Sequence, residues 1–200
     1  MKLDKHFRDA VDYVDFSAIE ASADVTFFLD DRLCLCGWNQ AYDRFAIEND
    51  GADVLVRFPL GFSLPEVIDP SIRSFYVDGF QQAVQTASVF GHEYECSTPE
   101  KFRLFYQTAY PLLRQRGLVV TNHQRLEASF AQDMEQQFDA RHVRADGSIV
   151  QCCHCRKIQD QNRPEKWDWI PQLVRIPHPD REQGLCAACF EHYYPQPLQP

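Results

Sequence analysis

The pattern of apolar and polar positions first predicts a hairpin followed by two helices. Residues 25–29 and 33–36 are rich in strand-forming side chains and flank a turn with two aspartates, which predicts two antiparallel strands. Residues 39–47 place apolar side chains on one face at helical spacing, and Asn39 can cap the first turn. Residues 70–86 repeat that spacing after an Asp-Pro start, so a second helix is predicted there.

Three further strands are predicted after these helices. Residues 90–96 alternate apolar and polar side chains, residues 102–113 form a longer run of strand formers, and residues 118–123 form the last strand. Two strands, then helices, then three strands joined by short turns are typical of an α+β domain. We therefore expect one antiparallel five-stranded sheet with helices on one face.

The N-terminal residues 3–14 carry a narrow apolar stripe at helical spacing. Its members are Leu3, Phe7, Ala10 and Val14. Such a stripe can pack on the helix's own domain or form a homodimer contact, and two heptads leave both interpretations open.

A further helix is predicted over residues 124–140, again from apolar spacing. The residues that set this spacing are Leu126, Phe130, Met134 and Phe138. Four segments are expected along the chain. They are an N-terminal helical segment at 1–22, the sheet domain at 23–125, a helical linker at 126–147 and a C-terminal element at 148–197.

The C-terminal element contains two cysteine pairs, each with the spacing C-x-x-C. They are Cys152 with Cys155 and Cys186 with Cys189. Each pair can turn tightly enough to direct two thiolates at one metal ion, and the segment between them can bring the pairs together. The sequence therefore predicts a tetrahedral four-cysteine site for Zn²⁺.

Other uses of the cysteines are open. A single C-x-x-C can be a redox dithiol, buried cysteines are often inert, and four thiolates also suit an iron–sulfur cluster. The doubled pair favours zinc. Because four cysteines complete the coordination shell, we expect the ion to be structural rather than catalytic.

Composition and charge narrow the classes of function. The net charge is −9, and a basic nucleic-acid-binding patch is not apparent. Neither a membrane-spanning run nor the apolar core of a signal peptide is present, and eight cysteines then fit a reducing cytoplasm. The glycine-rich and nucleophile motifs of common enzymes are missing, so no enzymatic activity is expected.

Two groups of sequence motifs are informative. Those of the sheet domain are DVTFFLD at 24–30, WNQAYDRF at 38–45, YECSTPE at 94–100 and RLFYQTAYPL at 103–112. Those of the C-terminal element are CCHCRK at 152–157, WDWIP at 167–171 and QGLCAAC at 183–189. Together these motifs resemble a bacterial subfamily of PAS domains. Gln183 stands where the similar proteins usually have histidine, but four cysteines still suffice for zinc.

The resemblance implies a sensory or regulatory module in which sheet and helices enclose a small cavity. The ligand is unknown, no output domain is recognised, and a separate signalling partner protein is expected. Candidate cavity residues on the strands are His92, Tyr94, Tyr106 and Asn122. These side chains can instead simply fill the core. A constitutive adaptor without a ligand, and a thiol sensor that releases zinc on oxidation, are the alternative functions.

Overall fold

The computed structural model describes residues 1–49, 51–130 and 136–195, which fall into two compact units. The first unit contains residues 1–93 and 105–124. The second contains residues 94–104 and those from 125 onward. The second unit therefore combines the ends of three strands with the cysteine-rich C-terminal region.

The elements up to residue 129, counted over the described residues, are six strands, five α-helices and two short 3₁₀ helices. The strands are β1 (Lys2–Leu3), β2 (Val25–Leu29), β3 (Leu35–Trp38), β4 (Phe90–Glu95), β5 (Lys101–Pro111) and β6 (Leu118–Ser129). The helices are α1 (Lys5–Ala10), α2 (Phe16–Ala21), α3 (Gln40–Glu48), α4 (Val54–Arg57) and α5 (Pro70–Thr86). The predicted α+β class is confirmed, as is the order of two strands, helices and three strands.

One antiparallel sheet contains all six strands, in the order β1-β3-β2-β6-β5-β4. β2 lies near its centre and pairs with the first half of β6, with Val25 opposite Asn122 and Leu29 opposite Leu118. The sequence predicted five of these strands. The sixth is β1, which adds to the edge of the sheet beside β3.

Apolar side chains occupy both faces of the sheet because the central strands alternate. Phe28 and Val119 pack on one face, whereas their neighbours Leu29 and Leu118 pack on the other. The second of these faces is covered by α5, through buried residues such as Phe80. The first is covered by the N-terminal helices, so the sheet carries helices on both faces rather than on the one face predicted.

The N-terminal segment uses its apolar stripe within its own unit. Phe7 and Val11 are buried in one cluster with Phe28, and Leu3 packs against that cluster. Ala10, by contrast, is exposed. The first residues of the predicted helix form β1 instead, so the helix begins later and ends earlier than predicted. A homodimer contact through this stripe would have to displace the packing on the sheet.

Asn39 joins three elements at the start of α3, and its side chain is fully buried. It accepts hydrogen bonds from the backbone N–H groups of Tyr42 and Thr26, each at 3.1 Å. It donates to the carbonyl oxygens of Asp24 at 2.9 Å and Ile19 at 3.1 Å. The N-cap predicted from the sequence is confirmed, and the same side chain also ties α3 to β2 and to α2.

The C-terminal part of the second unit contains a separate four-stranded sheet. Its strands are β7 (Ile149–Cys152), β8 (Ile158–Asp160), β9 (Arg163–Asp168) and β10 (Arg181–Gly184). Helix α6 (Pro171–Arg175) precedes β10 in the chain, and helix α7 (Ala187–Tyr193) follows it. The strand order is β10-β7-β8-β9, and β10 runs parallel to β7. Ile149, Ile158 and Ile170 form its small apolar core.

The helix predicted over residues 124–140 is wrong in its first part. Residues 124–129 continue β6 as a strand, and the predicted helical linker is therefore not helical there. Met134 lies outside the described residues, and a single 3₁₀ turn follows at Ala140–His142. Leu126 is 49 % exposed, so the apolar spacing did not mark a buried helix face.

Within the described ranges, no helix is long and apolar enough to cross a membrane. The longest among them is α5, with 17 residues. Its buried residues are Ile72, Phe80, Ala83 and Val84. It is therefore an amphipathic helix that covers the sheet.

We expect Asn39→Ala to lower the free energy of unfolding by about 3 kcal/mol, because it removes an N-cap and leaves buried backbone groups without this partner. Urea denaturation measures the change. Asp15→Ala is the matched control, since Asp15 caps α2 through the N–H of Ala18 but is exposed. That variant should lose only about 1 kcal/mol. Equal losses in the two variants would contradict the linking role of Asn39.

Candidate functional site

Two turns bring the four predicted cysteines together. The first turn follows β7, where the N–H of Arg156 bonds to the carbonyl of Cys152 at 3.0 Å. The second turn lies at the start of α7, where the N–H of Phe190 donates to the carbonyl of Cys186 at 2.8 Å. β10 pairs with β7 so that Gly184 lies opposite Cys152. The second turn therefore starts beside the first.

The four sulfur atoms lie within 4.8 Å of one another, and all four residues are buried. They belong to Cys152, Cys155, Cys186 and Cys189. The sulfurs of Cys155 and Cys186 are 3.8 Å apart. Tetrahedral bonds of about 2.3 Å to a zinc ion place sulfurs about 3.8 Å apart. The cluster therefore has the size and the donors of a site that can hold a metal ion.

The four thiols also influence one another's protonation. Hydrogen bonds from Cys155, Cys186 and Cys189 lower the pKa of the Cys152 thiol, whereas the hydrogen bond with Cys152 raises the pKa of the Cys155 thiol. A divalent cation bound by the four sulfurs would displace the protons that they share.

The remaining cysteines lie outside the cluster. Cys36 packs in the first unit, where burial raises the pKa of its thiol to about 12. Cys34 and Cys96 are partly buried, and Cys153 lies within the first turn without joining the four.

Gln183 takes no part in the cluster. It is exposed on β10, opposite Gln151. Trp167 and Leu185 instead pack against the four cysteines. The sulfurs therefore converge without the histidine that the similar proteins usually carry at this position.

A line of buried polar side chains crosses β4, β5 and β6 on the sheet face that α5 covers. Asn122 donates to the carbonyl of Val25 at 3.2 Å, and Gln107 donates to Oδ1 of Asn122 at 2.9 Å. Oε1 of Gln107 then faces Nε2 of His92 at 3.4 Å. Aromatic rings surround the imidazole of His92. They are those of Phe75, Tyr76 and Phe90.

The four predicted cavity residues do not all meet. His92 and Asn122 are linked through Gln107. Tyr106 follows the opposite alternation on β5, and its hydroxyl would lie 2.7 Å from a Cβ placed on Gly91. It therefore faces away from His92. Tyr94 is partly buried and belongs to the second unit.

Gln107 is the site residue that the sequence analysis missed. It belongs to the buried series on β5, in which Phe105 and Ala109 are its apolar neighbours. A polar residue inside an alternating apolar series was the available signal. The same alternation could have removed Tyr106 from the candidate set.

No protein-family model matches the sequence, and no relative is found among characterised proteins. Among solved structures, the phage VqmA–DPO complex is similar over 60 % of this chain and 55 % of that chain, with 13 % identity and a TM-score of 0.44. This chain thus spans about half the length of that protein.

Two shorter structures also match part of this chain. The photoactive yellow protein domain of the sensor histidine kinase Ppr from Rhodospirillum centenum matches 57 % of this chain and 96 % of its own, with 10 % identity and a TM-score of 0.39. The PAS domain of nitrogen regulation protein NR(II) from Vibrio parahaemolyticus matches 57 % and 95 %, with 13 % identity and a TM-score of 0.32. The PAS-like arrangement itself rests on the elements and strand order described above.

Gln107→Leu should lower the free energy of unfolding by about 2 kcal/mol, because the buried Oδ1 of Asn122 loses this donor. The matched control is Gln81→Leu on the exposed side of α5, which should change stability by less than about 0.5 kcal/mol. Urea denaturation of both variants tests the line. A Gln107→Leu protein as stable as the control would show that these hydrogen bonds do not hold the line together.

Proposed function

We propose that this chain is a sensory or regulatory PAS-type module that binds a small polar ligand and carries a structural zinc ion. The observation that carries the proposal is the polar line of His92, Gln107 and Asn122, which lies beside buried apolar residues such as Ala109 and Val120. Burying amide and imidazole groups costs free energy unless each finds a partner. A sheet face that only had to pack against α5 would be better filled by apolar side chains.

The direction of the hydrogen bonds along the line supports a ligand position between Gln107 and His92. Because Asn122 donates to the carbonyl of Val25, its oxygen accepts from Gln107, and the oxygen of Gln107 is left facing His92. That last contact is 3.4 Å, whereas a typical N–H···O hydrogen bond is about 2.9 Å long. Nδ1 of His92 faces the carbonyl oxygen of Glu93 at 3.1 Å, so the neutral ring donates there and offers Nε2 as an acceptor. A ligand amine that donates to both Oε1 of Gln107 and Nε2 of His92 would replace the long contact with two good ones.

Four thiolates would hold the zinc ion. What the ion would supply is a cross-link between two turns that the β10–β7 pairing places side by side. Since four thiolates leave no open coordination position, the module is proposed to be non-catalytic.

The proposed setting is the cytoplasm, where a reducing environment keeps thiols available for metal. The proposed partner is a signalling protein. A chain with a net charge of −9 is poorly suited to nucleic acid. A homodimer through the N-terminal segment would have to use residues other than Phe7 and Val11, because both are buried on the sheet.

Cys186→Ser should abolish stoichiometric zinc, because one missing thiolate opens the site and much of the folding free energy of the element comes from the metal. Native mass spectrometry of protein purified without added metal should give one zinc per chain for the wild type. Cys153→Ser is the matched control within the first turn and should keep its zinc. Full retention of zinc in Cys186→Ser would show that the four-thiolate assignment is wrong.

The zinc-loaded protein also tests the redox alternative. Two equivalents of hydrogen peroxide can oxidise four thiolates to two disulfides, with release of Zn²⁺ and reduction of the peroxide to water. Zinc release that thiol reductant and added zinc reverse would favour a redox sensor over a ligand sensor.

The native spectrum should also contain a further mass, lost on denaturation, that reports the bound ligand. We expect Gln107→Leu to lack this mass and Gln81→Leu to retain it, because only the first removes a proposed ligand contact. Chain plus zinc and nothing else would contradict the ligand proposal and favour the constitutive adaptor. The same spectra report whether the chain is a monomer or a dimer.

A further inference from the structure

The first cysteine turn contacts the hairpin that β4 and β5 form within the second unit. Nε2 of His154 accepts a hydrogen bond from the backbone N–H of Glu95 at 3.3 Å. The guanidinium of Arg156 donates to the carbonyl of Ser97. Both side chains belong to the turn at 152–157. The turn that carries two of the cysteines therefore also carries the contacts to the hairpin.

These contacts satisfy groups that the hairpin does not pair by itself. The N–H of Cys96 bonds to the carbonyl of Arg103 at 3.0 Å, and that of Thr98 to the carbonyl of Lys101 at 2.9 Å. Because successive N–H groups of a strand point to opposite sides, the N–H of Glu95 points away from β5. β4 is the last strand in its sheet, so that side is an open edge. His154 covers this edge at Glu95.

The position of both side chains depends on the shape of the cysteine turn. Arg156 has a φ of 61°, in the left-handed region, and its N–H closes the turn on Cys152. His154 lies between two cluster cysteines, and its Nδ1 is 2.6 Å from the hydroxyl of Tyr193 on α7. His154 is thus held from one side by the hairpin and from the other by the helix that the second cysteine pair begins. A cross-link between the two pairs fixes both supports.

A second link between the hairpin and the C-terminal region does not depend on the turn. Arg175 on α6 forms an ion pair with Glu100, but both side chains are largely exposed. Exposed ion pairs of this kind contribute little to stability. A further link runs through ring contacts of Phe130 with Phe102 and with Trp169. At the open edge itself, the turn holds the hairpin at Glu95 and Ser97.

We propose that metal binding by the four cysteines controls the order of the hairpin at residues 94–104, with His154 and Arg156 as the positioning residues. This inference rests on the metal site of the proposed function. The presence or absence of the metal ion would then be a signal that the module detects independently of the ligand. Loss of the ion would release the turn, and the edge of β4 at Glu95 would become open to water or to another strand.

Amide hydrogen exchange of the full chain, resolved by NMR, tests the proposal in zinc-loaded and chelator-treated protein. In the loaded form the N–H of Glu95 should exchange at least about fivefold more slowly, the factor expected for one backbone hydrogen bond. Amides within β2 should be unaffected and serve as the internal reference.

Variants separate the effect of metal binding from the effect of the hydrogen bond between His154 and Glu95. His154→Ala should keep one zinc per chain, and with cobalt(II) in place of zinc it should keep the thiolate absorption bands, yet it should lose the protection of Glu95. His154→Gln offers a side-chain carbonyl as acceptor and should restore part of that protection. His178→Ala, a histidine of the same unit away from the turn, should change neither the metal nor the hairpin.

The outcomes distinguish this inference from the metal assignment. One zinc per chain with Glu95 exchange unchanged by chelation would overturn the inference and leave the zinc site intact. The same conclusion would follow if His154→Ala kept the full protection of Glu95. A chain that binds no zinc under any condition would overturn both. Zinc-dependent protection that His154→Ala removes and His154→Gln restores would establish the proposal.

Discussion

The second unit depends on the close approach of four cysteine sulfurs. Like charges within 4.8 Å in a buried site repel strongly, so the four can all be thiolates only around a cation. The parts that bring them together are small: two tight turns, a parallel pair of four-residue strands, and a core of a few isoleucines. Two short turns gain stability from a cross-link between them, and a metal ion is a cross-link that four cysteine sulfurs can form.

The first unit is also constrained by buried polar groups. Their partners are hydrogen-bonding side chains and backbone groups rather than a cation. Asn39 makes four hydrogen bonds of ordinary length, and it holds two helices to a central strand. The line that ends at His92 is well bonded at Asn122 and long at its other end. A polar side chain with all its bonds made explains a fold. Under the proposed function, the long contact between Gln107 and His92 is the point at which a ligand would bind.

Both proposals concern β4. His92 lies in the middle of this strand, and Glu95 ends it. The strand is also the edge of its sheet, where exposed backbone groups are the readiest to change partners. A module of this design would respond to two chemically different signals, a small polar molecule and the state of a metal site. Each would act through hydrogen bonds to one strand.

Local signals in the sequence determined the parts of the structure that need no distant partner. The caps at Asn39 and Asp69 located α3 and α5, and the C-x-x-C spacing located both cysteine turns, because a turn or a helix start depends on adjacent residues.

Tertiary structure decided the features that depend on strand pairing. The apolar spacing after residue 123 fits a helix, yet the chain there extends β6. Gln107 meets Asn122, and His154 meets Glu95, 59 residues away, only once strands are in register. Composition and spacing cannot set that register, because it is fixed by the whole set of hydrogen bonds and buried contacts that the folded chain makes at once.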